Sequence, residues 1–238
     1  MNYHRDEDYK KFENTFKNIF QKRFNLILKY TSEVSRHTSE VGNRSGRVLD
    51  IGASTGTFLS IFKKEGWEVL GVDPSRSSAG EIKIIHEHFE KTDLPKNYFD
   101  LVILNHTLEH MDNPMFVLKK VYKVLKKNGI LFVDVPNAGG LGAKILGRYW
   151  PYRLPKEHKH QFTGESLSKI FGKAGFKVIY FASRSGIFEY ANPLLELKRK
   201  RFLLDIFTIP YSLIATALQM GDSMSLIGRK YKRSLAKL

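Results

Sequence analysis

The clearest chemistry in the 238-residue chain sits in nine residues, Val48-Leu49-Asp50-Ile51-Gly52-Ala53-Ser54-Thr55-Gly56. An apolar strand runs into a turn with two glycines, and a helix opens at Thr57. Gly52 and Gly56 can take backbone angles closed to other residues and let a ligand approach the main chain. Amides at the start of the helix then face that ligand. A lone Gly-x-x-x-Gly is also what a plain tight turn looks like. Asp73 shifts the balance, because it ends a second apolar run, where an acid can accept hydrogen bonds from both ribose hydroxyls. It could also cap the turn before Pro74. The dinucleotide fingerprint Gly-x-Gly-x-x-Gly is not met: Ser54 stands at the second glycine position, and Phe58 and Leu59 fall where the third would be sought. A nucleotide-like ligand without a closely held pyrophosphate is the expectation.

Histidine is the natural proton acceptor near neutral pH. His158 and His160 follow an aromatic stretch, Tyr149-Trp150-Pro151-Tyr152, and are the candidate catalytic bases. The same pair would also suit a structural loop, and the aromatics could stack on a planar acceptor or pack the loop down. His106 and His110 have the i, i+4 spacing of metal ligands. The glutamate partner of a zinc-protease helix is missing and no third ligand is evident, so no metal is expected.

These residues need a scaffold that brings strand ends together. An amphipathic helix is predicted over 9–30, then a polar linker over 31–46. Strands follow at Arg47–Ile51, Trp67–Val72, Ile82–Ile85, Asp100–Leu104 and Ile130–Val135, with helices at Thr57–Glu65 and Asn113–Lys127. Gly66 and Gly129 are placed as helix stops. Residues 139–155 read as a loop. A helix capped by Thr163, strands at Phe176–Phe181 and Ser223–Arg229, and a helical insertion at about 187–220 complete the chain. Apolar strands alternating with helices imply a parallel sheet covered on both faces, with ligands at the carboxyl ends of the strands. The domain reading is a helix and linker over 1–46 and one catalytic domain over 47–238.

Composition sets the outer bounds. With 42% hydrophobic and 26% charged residues the chain is globular, and with no cysteine it has neither a disulfide framework nor a thiol nucleophile. The first eight residues hold no apolar signal core, so a cytoplasmic protein is expected. A net charge of +15 draws anions, but the basic residues are scattered and no RNA-binding module is visible, which disfavours nucleic acid. The densest basic run, Lys198–Arg201, precedes an apolar stretch, Phe202–Leu218, broken by Asp205 and Pro210. That stretch reads as a cap helix; the sharper reading is peripheral contact with anionic lipid through 198–218.

Taken in order, the segments resemble class I S-adenosylmethionine-dependent methyltransferases, in particular the small-molecule group that includes ubiquinone-biosynthesis O-methyltransferases. The resemblance runs from Arg47 onward. It rests on 48–56, on Gly71–Ser75, on Asp93-Leu94-Pro95 leading to Phe99–Val102, and on Asn105–Met111. Gly129–Val133, His158–Thr163, Ala174–Phe176 and Gly221–Lys230 continue it. It implies a Rossmann-like three-layer α/β sandwich with a seven-stranded, mostly parallel sheet and an antiparallel last strand. It also implies S-adenosylmethionine as cofactor. Asp50, Gly52, Ser54 and Gly56 would line its methionine part, Asp73 would hold the ribose, Phe89 and Glu90 would border the adenine, and Asn105 would lie beside the transferring methyl. Ser54 departs from the glycine common in that turn, the stretch from Pro74 to Ile82 is short for the usual helix, and Glu87, Glu90 and Asp93 compete as the acid after strand three. The implied activity is methyl transfer, chiefly to oxygen, on a small-molecule, glycan or lipid-linked acceptor. The alternatives are an NAD(P)-dependent oxidoreductase or a non-catalytic RNA- or partner-binding module on the same fold.

Overall fold

The computed structural model describes residues 13–35, 46–76, 80–185 and 202–231. Seven strands form one sheet: β1 (Arg47–Ile51), β2 (Glu68–Val72), β3 (Ile84–Ile85), β4 (Phe99–Asn105), β5 (Leu125–Pro136), β6 (Phe176–Arg184) and β7 (Ser223–Lys230). Their order is β3-β2-β1-β4-β5-β7-β6. The β1–β2, β1–β4, β2–β3 and β4–β5 pairs are parallel, and β7 runs antiparallel between β5 and β6. The expected α/β sandwich with an antiparallel last strand is therefore present.

Alternation along the strands divides the core in two. Leu49, Ile51, Val102, Leu104, Leu131 and Val133 point to one side, where α3 (Pro114–Val124) and α5 (Gly164–Ala174) pack. Val48, Leu101, Ile103, Ile130 and Phe132 point to the other. There they meet α1 (Glu13–Ser35) and α2 (Thr57–Lys64). Aromatic pairs bind those two helices: Phe20 stacks on Phe58 at 4.8 Å, and Phe24 meets Phe62 edge-on at 4.8 Å. Such pairs add roughly 0.5–1.5 kcal/mol each beyond their buried area.

Element ends differ from the sequence reading in instructive ways. The first helix reaches Ser35, so the linker is shorter than predicted; residues 36–45, 186–201 and the basic run at 198–201 lie outside the described residues. Only Ile84 and Ile85 pair as the third strand, and the described residues between β2 and β3 carry no helix. Gly129 is not a helix stop. α3 ends at Val124 and β5 begins at once, with a register shift where Phe99 pairs Leu125 and Leu101 pairs Ile130. Leu125 is buried there, and Lys126 reaches Asp100 at 2.7 Å, so tertiary contacts pull this basic stretch out of the helix. The loop at 139–155 contains a short helix, α4 (Leu141–Leu146), and a 3₁₀ turn, Gly147–Tyr149. The Thr163 cap is present as a full capping box with Ser166. In the insertion, α6 (Phe202–Ala217) carries Pro210 inside it, and it buries Ser212 and Ala215 while Leu213, Ile214 and Leu218 are exposed. Among the described residues no helix is long and apolar enough to cross a membrane.

Candidate functional site

β1 delivers Asp50 to the carboxyl end of the sheet, opposite Gly71 of β2 and Ile103 of β4. The chain then turns back under the start of α2. Gly52 adopts φ 79° and donates its amide to the Val72 carbonyl at 2.8 Å. A side chain on Gly52 would run into Thr107, so the turn after β4 is packed directly on the turn after β1. Gly56 is left-handed at the head of α2, and a Cβ there would press on Ile82 at 3.0 Å. Both glycines are demanded by conformation and by space together. Ser54 also takes a positive φ, 47°, and bears the strain glycine would avoid. Its amide is held by Asp73 Oδ2 at 2.8 Å.

Asp73 ends β2 as expected. Besides Ser54 it accepts from the Ser75 amide at 2.8 Å and the Ser75 hydroxyl at 2.6 Å, so it organises both turns at this end of the sheet. Asp50 is the opposite case. It is buried, its Oδ1 has no hydrogen-bond partner among the described residues, and burial first and the nearby Asp73 second push its carboxyl well above the ordinary value. Asn105, at the end of β4, also has a buried Oδ1 without a partner. Asp50 and Asn105 line one cavity with Gly52, Ser54 and Thr55, which Phe20 of α1 closes from above. Its volume is ≈ 20 Å³. That is room for about one water.

The segment after β3 is strung on one lysine. Lys120 of α3 donates to the carbonyls of Phe89 at 2.6 Å, Glu90 at 3.2 Å and Thr92 at 2.5 Å. Phe89 is 2% exposed and packs in the core, so it forms a floor rather than an open stacking face. Glu90 Oε2 is buried without a partner.

The histidines are distributed differently from the sequence expectation. His158 is buried and its Nδ1 meets the Tyr152 carbonyl at 2.8 Å; His160 is half-buried, with Nε2 3.3 Å from the Asp112 carbonyl. Neither lines the cavity at the glycine turn. His158 instead joins Glu109 and His110, whose ligand-capable atoms all lie within 4.8 Å of one another. His106 is not in this group, and the spacing of His106 and His110 could not reveal His158, which arrives from 48 residues beyond His110. His106, weighed in the sequence only as a metal ligand, takes φ 51° and lies between two buried carboxylates, 3.5 Å from Glu109 and 3.3 Å from Asp134. Trp150 is buried and donates to Asp222 at 3.0 Å, whereas Tyr149 is 72% exposed. The aromatic stretch therefore holds its own loop down.

A larger cleft opens beside the turn, between α1 and the ends of β5, β6 and β7. Its volume is ≈ 350 Å³, and Lys22, Lys29 and Arg184 stand in its wall. That volume lies in the range of small-molecule sites, roughly 300–1,000 Å³. At its base Arg23 forms a 2.8 Å ion pair with Asp134, which also accepts from the Ser223 and Ser225 hydroxyls.

Comparison with known proteins bears on this arrangement. The model of a family described as a methyltransferase domain matches residues 20–180. A ubiquinone biosynthesis O-methyltransferase of Bradyrhizobium diazoefficiens is 32% identical over 143 residues, covering 52% of this chain and 55% of that protein. One of Rhodopseudomonas palustris is 26% identical over 169 residues, covering 63% and 64%. The chain thus spans between half and two thirds of the length of these relatives. Among solved structures, a SAM-dependent methyltransferase from Archaeoglobus fulgidus superposes with TM-score 0.64 at 21% identity, covering 96% of this chain and all of that one. Phosphoethanolamine N-methyltransferase 2 of Haemonchus contortus, in complex with S-adenosyl-L-methionine, gives TM-score 0.58 at 17% identity, covering 86% of this chain and 52% of that one. At these identities the two structures share the fold.

Proposed function

The chain belongs to the S-adenosylmethionine-dependent methyltransferase family, and from that premise we propose that it transfers a methyl group from S-adenosylmethionine to an oxygen of an acidic small-molecule acceptor. One observation carries the cofactor assignment: Asp50 Oδ1 and Asn105 Oδ1 are buried acceptors without partners beside the glycine turn. A ligand whose tail brings an ammonium group fits them, and its positive charge would relieve the repulsion between Asp50 and Asp73. Asp73 would accept ribose hydroxyls, one of them replacing the Ser75 hydroxyl. The buried Glu90 oxygen would accept from the adenine amino group, above the Phe89 floor. Gly52, Ser54 and Gly56 would shape the turn along the methionine part.

S-adenosylmethionine, when bound, supplies a methyl group already activated by its positive sulfur. The chain's own residues are left to bind, orient, exclude water and accept a proton. α1 covers the turn and keeps water out through Phe20. His160, half-buried beside Phe162, is the candidate base for the acceptor hydroxyl, a role that adds about 10²–10⁴ to a rate. His158 we assign to the Glu109 cluster instead.

The acidic acceptor is inferred from Lys22, Lys29 and Arg184 in the wall of the ≈ 350 Å³ cleft. Oxygen is inferred from the O-methyltransferase relatives. Exposed Leu213, Ile214 and Leu218 on α6 support a lipid-facing edge, which would suit an acceptor with an apolar tail. Calorimetric titration tests the reading: S-adenosylhomocysteine should bind in the micromolar range and NADH should not, and the opposite pattern sinks it. Substituting His160→Ala should then lower turnover without changing S-adenosylhomocysteine affinity.

A further inference from the structure

The turn after β4 holds a second set of groups that methyl transfer does not use. Glu109 is 1% exposed, and among the described residues its nearest polar partner is His106 Nδ1, 3.5 Å from Oε1. Two imidazoles converge on Glu109, with ring centroids 4.8 Å apart in an edge-to-face arrangement.

The hydrogen bonds of these rings fix which nitrogen faces the cluster. His110 Nδ1 lies 2.9 Å from the Glu157 carbonyl, and His158 Nδ1 lies 2.8 Å from the Tyr152 carbonyl. A carbonyl only accepts, so each Nδ1 carries the proton, and in the neutral ring Nε2 is the lone-pair atom. An imidazole held by a backbone carbonyl through one nitrogen, with the other presented to a shared point, has the outer shell of a metal ligand. One carboxylate and two such nitrogens bring three electron-pair donors together at a site where Glu109 and His158 are both buried.

We propose that Glu109, His110 and His158 bind one divalent transition-metal cation. Two imidazole nitrogens and one carboxylate oxygen suit zinc, cobalt, manganese or ferrous iron, whereas magnesium and calcium prefer oxygen-only sets. Three protein ligands leave a position open for water or an acceptor oxygen. The cation would tie the 3₁₀ turn Leu108–His110 to the loop ending at His158, two segments already joined by the His160 amide on the Glu109 carbonyl at 3.1 Å. His106, between Glu109 and Asp134, acts as a positioning residue that aims the carboxylate.

The test uses the full chain, stripped with chelator and then titrated with zinc, cobalt or magnesium chloride in the absence of S-adenosylmethionine. One equivalent of zinc should survive gel filtration, and magnesium at the same concentration should not. Cobalt should give a visible absorption band. Zinc at about a hundred times its Kd should raise the melting temperature by roughly 5–10 °C. Glu109→Gln, His110→Gln and His158→Gln should each weaken zinc binding by about 100-fold or more, beyond the 10–100-fold typical of losing an outer-shell partner. His110→Gln, at the half-buried position, serves if the two buried variants do not fold. The proposal is overturned if the wild-type chain takes up no stoichiometric metal, or if uptake is undiminished in His110→Gln, which would place the ion on other surface histidines. Since metal content is read without cofactor, its failure is separate from failure of the methyl-transfer reading.

Discussion

At the scale of single residues, Asp50 carries an electrostatic cost and Gly52 occupies a backbone position that no other residue fits. Folded Asp50 keeps its proton at pH values where an unfolded chain has lost it, because burial and then Asp73 disfavour its charge. Stability of the ligand-free protein therefore falls as pH rises from the ordinary aspartate value to the raised one. Asp50→Asn should remove that decline and stabilise the free protein at neutral pH. It should also weaken S-adenosylhomocysteine binding by tenfold or more, since a hydrogen bond to a charged group is worth about 1.5–3 kcal/mol. Urea unfolding across about pH 4 to 8 and calorimetry measure the two effects, and a variant less stable at every pH would contradict the first. Gly52→Ala combines a left-handed backbone with collision against Thr107. It should cost roughly 2–3 kcal/mol, read as a lower melting temperature. Asp50, Gly52, Gly56 and Asp73 were legible in the sequence because each acts within a strand and the turn that follows it. His158 beside Glu109 was not, because their meeting depends on a loop path with no local periodicity.

At the scale of elements, α1 and α3 act on the site from opposite faces of the sheet. α1 carries Phe20 over a cavity of ≈ 20 Å³, far too small for an adenosyl ligand. An adenosyl ligand would have to widen this cavity, and α1 is the helix that borders it. Amide exchange in Ile19–Ile27 should be fast relative to β4 and β5 without ligand and should slow on addition of S-adenosylhomocysteine; equal protection in both states would argue for another route. Arg23 pins α1 to Asp134 in a buried pair. Arg23→Ala leaves that carboxylate with His106 and the Ser223 and Ser225 hydroxyls only, so the cost should be a part of the roughly 3–5 kcal/mol of breaking a buried pair. On the far face, Lys120 of α3 gathers three carbonyls of the segment after β3, and Lys120→Met should loosen that segment and weaken adenosine binding more than methionine binding. Helix periodicity foretold α1, α2, α3 and α5. It overran α3 because Leu125–Lys127 continue a helical pattern, while Asp100 and β4 offer these residues better partners.

At the scale of the whole molecule, a charge of +15 and a cleft lined by Lys22, Lys29 and Arg184 act together. On the proposed reading, the surface field would gather anions and the cleft would select among them. Arg184→Glu should raise KM for an acidic acceptor by about tenfold, equivalent to ≈ 1.4 kcal/mol, with S-adenosylhomocysteine affinity unchanged. Added salt should raise KM in the wild type and do so less in the variant; a salt-independent KM would remove the cleft as the acceptor site.

The place of β7 in the sheet sets an order of events during synthesis. Ser223–Lys230 is the last strand of the described chain, yet it lies between β5 and β6 and supplies the Ser223 and Ser225 hydroxyls to Asp134. Until the ribosome has released those residues, β6 has no neighbour in the sheet and the cleft has no far wall. β1 through β5 can pair while translation continues, leaving the edge of β5 uncovered. A chain stalled before Ser223 should thus be a substrate for holding chaperones and show protease-sensitive β6, whereas one stalled with β7 clear of the exit tunnel should resist cleavage there.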